Sequence, residues 1–235
     1  MEPIAHNPHL VAALCCLVSF AICGIPFGKI IAKRFAKVDL QQVGSGNIGT
    51  TNALRAGGPK VAILTLACDV LKGVVCVRAS IAVLGAWCFP QAGVASVFLA
   101  PGGQLDYLIA LVCLACVLGH MFSPYLGFRG GKSIAVGVGV LFGLAWPLAL
   151  IHLGIFIVLV AITKFVSVGS IATAALVGVT VSLYFPSASL AFKLIMGVLG
   201  LLVVWAHRGN IKKLRAGVES KLSFTKRVDK LDGQA

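Results

Sequence analysis

Long apolar runs separated by short polar stretches dominate the chain. Clear runs cover 10–33, 61–89, 106–123, 169–185 and 189–206, and each reaches the roughly 17–25 residues that a helix needs to cross a hydrocarbon core. A further apolar stretch extends over the 31 residues 133–163. As one helix it would measure about 46 Å at 1.5 Å per residue, well beyond a core of about 30 Å. Trp146 and Pro147 sit near its middle, where a proline marks a tight turn between two short spans. Dividing it into 133–146 and 148–163 predicts seven transmembrane helices in all.

Composition supports a membrane protein. Residues of the AVILMFWYC set make up 59% of the 235 positions and DEKR only 11%, against about 25% charged in an ordinary soluble domain. So few charges would not cover the surface of a soluble globular enzyme. The formal charge is +13, from 20 Lys+Arg and 7 Asp+Glu, and its distribution sets the orientation. With seven spans, Lys29, Lys33, Arg34, Lys37, Arg55, Lys60, Arg129, Lys132, Lys164, Arg208, Lys212, Lys213, Arg215, Lys221, Lys226, Arg227 and Lys230 fall on one face, 17 of the 20. Six spans would put the basic tail on the other side, against the positive-inside bias.

The expectation is therefore an all-α integral membrane protein with the N-terminus outside and the C-terminus cytoplasmic. It is a single polytopic domain over 1–235, without internal repeats, with an outer connection at 90–105 and a polar tail at 222–235. The segment before the first run has no basic n-region, and that run is too long for a cleavable signal. Basic excess confined to short loops speaks against nucleic acid as partner.

All eight cysteines (Cys15, Cys16, Cys23, Cys68, Cys76, Cys88, Cys113, Cys116) lie within apolar runs, where cysteine behaves as a small hydrophobe. Cys113 and Cys116 with His120 one turn beyond imitate part of a metal site. Zinc requires three or four ligands, and none follows nearby in sequence, so no metal is expected.

Three polar segments, 44–60, 119–133 and 207–221, fall on the same, cytoplasmic face. Glycines let backbone N–H groups approach phosphate oxygens, Arg offers a planar fork and Lys a mobile charge. The first segment holds Gly44, Ser45, Gly46, Asn47, Gly49, Thr51, Asn52 and Arg55, with a formal G-x-G-x-x-G and Asp69 twenty residues on. A dinucleotide fingerprint requires a βαβ unit around it, and apolar spans flank this one. The second segment ends Arg129-Gly130-Gly131-Lys132-Ser133, but Leu126 replaces the first glycine of a P-loop. In the third, His207 and Asn210 share a helical face at i, i+3. Asp69 and Lys72 are likewise i, i+3 inside the second span, where charges are paired or functional. They read either as an ion pair bracing the site or as a substrate contact. His152 is read as satisfying a helix–helix hydrogen bond, and Arg78 has no assigned role.

Taken together, Gly-Ser-Gly-Asn-x-Gly-x-Thr-Asn-x-x-Arg from Gly44, Gly-His from Gly119 leading to Phe128-Arg129-Gly130-Gly131-Lys132, and His207-x-x-Asn210-Ile211 leading to Gly217-x-Glu219 resemble the bacterial membrane acyl-phosphate:glycerol-3-phosphate acyltransferases (the PlsY family). The likeness extends over most of the chain, including Gly24 to Gly28, Asp69, Lys72 and Gly73. Departures are Thr50, Arg129, Ser133 and Val136, where alanine, lysine, glycine and threonine are expected; they bear on loop geometry more than on activity.

The resemblance implies a multi-pass protein of the bacterial inner membrane. It implies transfer of a fatty acyl group from acyl phosphate to glycerol 3-phosphate, giving 1-acylglycerol 3-phosphate, the first acylation of phospholipid synthesis. The acyl phosphate would come from a phosphate acyltransferase acting on acyl carrier protein, with membrane lipid as the surroundings and no cofactor. Acyl phosphate is already activated, so the enzyme must position both reactants and stabilise the developing oxyanion.

No His-x4-Asp occurs, and no Ser or Cys stands beside an obvious base, so direct attack within a ternary complex is expected. Arg55 and Lys132 are assigned to the phosphate of glycerol 3-phosphate, with Ser45, Gly46 and the Gly130-Gly131 backbone in support. Asn47, Thr51 and Asn52 shape the loop or touch substrate. His207 and Asn210 orient the glycerol hydroxyls or the acyl carbonyl, and Glu219 pairs with a loop cation. Ser170, with Ser167 as second choice, resembles the family's hydroxyl in the remaining inner loop. The alternative is a transporter of organic phosphates, which would hold its polar residues near the bilayer midplane.

Overall fold

The structure, a computed structural model, describes residues 7–88 and 105–222. The expected outer connection and polar tail lie outside them apart from Leu105 and Leu222. Every regular element among the described residues is helical: α1 (Pro8–Gly24), α2 (Phe27–Ala36), α3 (Thr50–Cys88), α4 (Asp106–Met121), α5 (Ile134–Leu144), α6 (Trp146–Thr163), α7 (Val166–Tyr184), α8 (Leu190–Ala206) and α9 (Arg208–Arg215), with a 3-10 turn at Pro124–Leu126.

Four stretches are long and apolar enough to cross a membrane: Pro8–Ala36, Asp106–Leu126, Trp146–Thr163 and Val166–Tyr184. A fifth arises if α8 and α9, bent by 53°, count together. α3 is long enough but carries Asp69, Lys72 and Arg78, and α5 has only 11 residues. Leu17, Ile63, Ile162, Leu183, Leu190 and Leu201 are exposed around the bundle, an outer surface suited to lipid rather than water.

The run expected as one element over 10–33 is two helices. Pro26 lacks an N–H and cannot continue α1, and the carbonyls thereby released need donors in an apolar setting. The Ser123 hydroxyl donates to the Gly24 carbonyl at 2.6 Å and the Lys72 ammonium to the Ile25 carbonyl at 3.0 Å. α3 is broken as well, at Gly58 (φ 79°) ahead of Pro59, so a short polar helix carrying Arg55 precedes the apolar one. The turn expected at Trp146 and Pro147 falls at Ala145, which is extended (φ −155°, ψ 109°), with Pro147 inside the first turn of α6 where its missing N–H costs nothing.

α4 is the centre of the bundle. It packs against α1, α3, α5 and α8, and its Ile109, Val112, Cys113, Cys116 and Val117 are fully buried. Its Asp106 accepts from the Ser189 amide and hydroxyl at 2.7 and 2.6 Å, fixing the start of α8. α3 and α5 cross at Gly73 and Gly139, where a Cβ on Gly139 would lie 2.1 Å from the Val70 carbonyl oxygen. Small residues here let two backbones touch. As the sequence suggested, His152 reaches across to Thr180 at 2.7 Å, joining α6 to α7.

Below the polar end of the bundle sits a charged cluster that joins α1, α3 and α4. Lys72 is 2.8 Å from Asp69, 3.0 Å from His120 Nδ1 and 3.0 Å from the Ile25 carbonyl, with the Phe27 ring 5.6 Å away. All three side chains are buried. An ammonium only donates, so His120 Nδ1 accepts and the ring proton sits on Nε2.

Replacing Lys72 with Met leaves the buried Asp69 carboxylate and Ile25 carbonyl without their cationic partner. We expect a loss of about 3–5 kcal/mol, seen as early thermal unfolding in detergent, and partial recovery in the Lys72→Met/Asp69→Leu double variant. A Lys72→Met protein as stable as the parent would contradict this account of the cluster.

Candidate active site

One polar cavity of about 290 Å³ collects residues from every segment singled out in the sequence. Its lining includes Ser45, Asn47, Thr51, Asn52, Arg55, Asp69, Lys132, Ser167, Ser170, His207, Asn210 and Glu219. Gly46, Gly130, Gly131 and Lys72 are not among its lining residues.

The first loop is held by one amide. Asn52 Nδ2 donates to the carbonyls of Leu40, Val43 and Asn47 at 2.9, 3.1 and 2.9 Å, while its Oδ1 accepts from the Ser45 amide at 3.0 Å. Asn52 is buried, so its role is to fold the loop. Asn47 Oδ1 accepts from the Gly49 amide at 2.9 Å. Gly44 (φ +59°) must be glycine, since a Cβ there would lie 2.3 Å from Asn52 Oδ1. At the far end of the loop, Lys29 pairs with Asp39 at 3.2 Å. The Gln41 amide, followed by Lys29, holds the Asp39 carboxyl below its usual range.

These bonds correct one expectation. The glycine-rich backbone was expected to offer free N–H groups to phosphate. Instead the amides of Ser45, Gly46 and Gly49 are bonded within the loop, that of Gly46 to the Val43 carbonyl at 3.0 Å. Gly130 and Gly131 donate to the Met121 and His120 carbonyls at 3.0 and 2.9 Å, satisfying the end of α4. Their small size is required by the approach to His120: a Cβ on Gly131 would lie 2.2 Å from its Nε2. Close packing accounts for the absence of a side chain at these two positions, and the cationic character of the cavity comes from side chains.

Lys132 follows this packed turn and donates to Asn210 Oδ1, and Asn210 Nδ2 donates to Glu219 at 2.7 Å. Glu219, expected to pair with a loop cation, is linked to Lys132 through the Asn210 amide. Burial lowers the Lys132 pKa, and nearby Glu219 opposes that shift. Arg55 makes no salt bridge to a carboxylate among the described residues.

His207 ends α8, with Nδ1 2.8 Å from the Val203 carbonyl. A carbonyl only accepts, so Nδ1 carries the proton and Nε2 keeps its lone pair. Burial holds the ring's pKa down at about 4, only partly offset by the Val203 bond, so at neutral pH it is uncharged. Ser167 Oγ and Thr50 Oγ1 line the cavity, buried and without a hydrogen-bond partner.

Several lining residues escaped the sequence reading: Thr50, His120, Ser133, Lys213 and Ser220. Lys213 had a signal, being three residues after Asn210 on the same helical face. His120 stood in the Gly-His string of the second segment, but its place in the cavity depends on how α4 meets the 130–131 turn.

Beside the polar cavity lies an apolar one of about 280 Å³, walled by side chains such as Val138, Phe142, Leu153, Val177, Met196 and Val203. Leu66, Ser133, Ile134, Ala135 and Phe156 line both. A charged compartment thus adjoins a hydrophobic one.

Known proteins resemble this chain in sequence and in fold. A family model described as glycerol-3-phosphate acyltransferase matches residues 13–217. Glycerol-3-phosphate acyltransferase of Bartonella henselae is 35% identical over 206 residues, covering 88% of this chain and 89% of its own. That of Jannaschia sp. is 34% identical over 226 residues, covering 96% and 100%. Crystal structures of PlsY (YgiH), an integral membrane glycerol 3-phosphate acyltransferase, superpose closely. The glycerol 3-phosphate form gives a TM-score of 0.73 at 29% identity, covering 90% of this chain and 96% of that one. The lysophosphatidic acid form gives 0.72 at 27% identity, covering 92% and 97%. With a matching family model over most of its length and relatives above 30% identity, the chain belongs to the glycerol-3-phosphate acyltransferase (PlsY) family.

Proposed function

We propose that this protein transfers a fatty acyl group from acyl phosphate to the 1-hydroxyl of glycerol 3-phosphate, giving 1-acylglycerol 3-phosphate. The observation that carries the reading is the pair of adjoining cavities, one cationic and one apolar, sharing five residues. A donor with a phosphoryl head and an acyl tail fits across that boundary, and a small phosphate ester fits in the polar part.

Arg55 and Lys132 hold the phosphate of glycerol 3-phosphate, with Ser45, Asn47, Thr51, Ser167 and Ser170 supplying neutral hydrogen bonds. Asn210, fixed between Lys132 and Glu219, aims Lys132. The unprotonated Nε2 of His207 accepts a hydrogen bond from the glycerol hydroxyl and orients it toward the acyl carbon. The hydroxyl oxygen bonds to that carbon, the bond from carbon to the phosphate oxygen breaks, and the hydroxyl proton leaves on the departing phosphate. His207 is too weak a base at a pKa of about 4 to keep the proton itself, which favours a substrate phosphate as acceptor.

The bilayer arrangement we infer has seven crossings, with the N-terminus outside and the C-terminus and site on the cytoplasmic side of the bacterial inner membrane. Its support is the 17 of 20 basic residues on one face. In this arrangement α3 crosses with Asp69 and Lys72 turned into the bundle, where their mutual pairing offsets desolvation.

Purified protein given glycerol 3-phosphate with either palmitoyl phosphate or palmitoyl-CoA is expected to form product with the first alone. Product from neither would favour a carrier of phosphate esters. Arg55→Ala and Lys132→Ala are each expected to lower turnover by about 10²–10³-fold or more, and near-normal activity in either removes the assignment.

The low pKa of His207 also makes stability depend on pH. The unfolded state, with an ordinary imidazole pKa of about 6.5, binds more protons than the folded state. The stabilisation is fully present above about 6.5 and is lost as pH falls from there toward about 4. Thermal unfolding followed across that window is expected to show a shallower pH slope in His207→Gln; equal slopes would contradict the buried neutral imidazole.

A further inference from the structure

Three thiols outside the site meet in the core. Cys23 of α1, Cys76 of α3 and Cys116 of α4 are buried, and their sulfurs all lie within 4.8 Å of one another, with Cys23 and Cys76 3.8 Å apart. None of them is in a disulfide. Cys113, the neighbour suggested by spacing, does not join them, nor does His120.

We propose that this triad is a binding site for a soft monovalent d10 cation, Cu(I). Sulfurs about 2.3 Å from a common ion in a trigonal plane lie about 4 Å apart, within the spread found here. Among the described residues no imidazole, carboxylate or further thiol joins the group. A fourth ligand, which zinc requires, is therefore missing, whereas thiolates in a three-coordinate apolar setting select Cu(I). Binding displaces the three thiol protons to solvent, since the thiolate is the ligand, and the resulting excess negative charge lies one turn from the Lys72 ammonium.

The surroundings fit the same ion. The buried Ser19 hydroxyl lies one turn before Cys23 on α1, the kind of outer polar group that orients a metal ligand. Cys116 is one turn before His120 and Cys76 one turn after Lys72, so the triad sits directly beneath the buried charged cluster. Asp69 and His120 of that cluster line the polar cavity. Bound there, the ion would tie together α1, α3 and α4, the same helices joined by Lys72.

The full chain, reduced and purified in detergent without oxygen, should be titrated with Cu(I) against a chromophoric Cu(I) chelator. One equivalent is expected to transfer to the protein, with sulfur-to-copper absorption in the near ultraviolet and a higher unfolding temperature. Cys23→Ser, Cys76→Ser and Cys116→Ser should each weaken binding at least tenfold, and Cys15→Ser and Cys68→Ser should not. X-ray absorption at the copper edge of the unmutated protein gives a readout independent of variant folding: three sulfurs near 2.3 Å are expected. Failure to compete with the chelator, a first shell containing nitrogen or oxygen, or undiminished binding in folded Cys76→Ser and Cys116→Ser proteins would each overturn the proposal. Acyl transfer is not needed for any of these measurements.

Discussion

A single ammonium group organises the polar end of this protein. Lys72 is buried among apolar helices, where an unpaired charge would neutralise or unfold its surroundings. It is retained because three acceptors surround it: the Asp69 carboxylate, His120 Nδ1 and the Ile25 carbonyl. Each comes with a structural consequence. Asp69 keeps the charge balanced within α3, the Ile25 carbonyl is freed by the break at Pro26, and His120 supports the turn that delivers Lys132. The geometry of the cavity therefore rests on a charge that is almost wholly buried.

From that cluster the site is built outward by close packing and then by amides. Gly130 and Gly131 lie against His120 with no room for a side chain, which places Lys132 beside the end of α8. Asn210 then bridges Lys132 and Glu219, and Asn52 gathers the first loop through four hydrogen bonds. Side-chain amides suit this work because each offers donors and an acceptor without adding charge. The cationic groups are left to carry the electrostatics, and His207 stays neutral because burial disfavours its charged form.

The apolar half of the site follows from the same bundle. α5 and α7 carry small residues on inward faces, and α5 ends early at Ala145. The resulting cavity meets the polar one at Leu66, Ser133, Ile134, Ala135 and Phe156. Ser133 stands at this boundary in the left-handed region (φ 61°), its hydroxyl donating to the Val117 carbonyl at 2.8 Å. At a position where the resemblance led to the expectation of glycine, Ser133 thus finds its own partner inside the protein.

Apolar run lengths and charge scarcity are properties of consecutive residues, so the helical membrane class could be read directly from the sequence. The three polar motifs, being local strings, likewise pointed to the family and to several polar residues of the cavity, including Arg55, Lys132, His207, Asn210 and Glu219. Contacts between distant strings were not legible there. The commitment of the glycine amides to neighbouring carbonyls, the Asn210 bridge and the entry of His120 and Lys213 into the cavity depend on how helices rotate and cross. So does the meeting of Cys116 with Cys23 and Cys76 in place of nearby Cys113. Spacing along one helix fixes which residues share a face, but only the packing of several helices decides what that face meets.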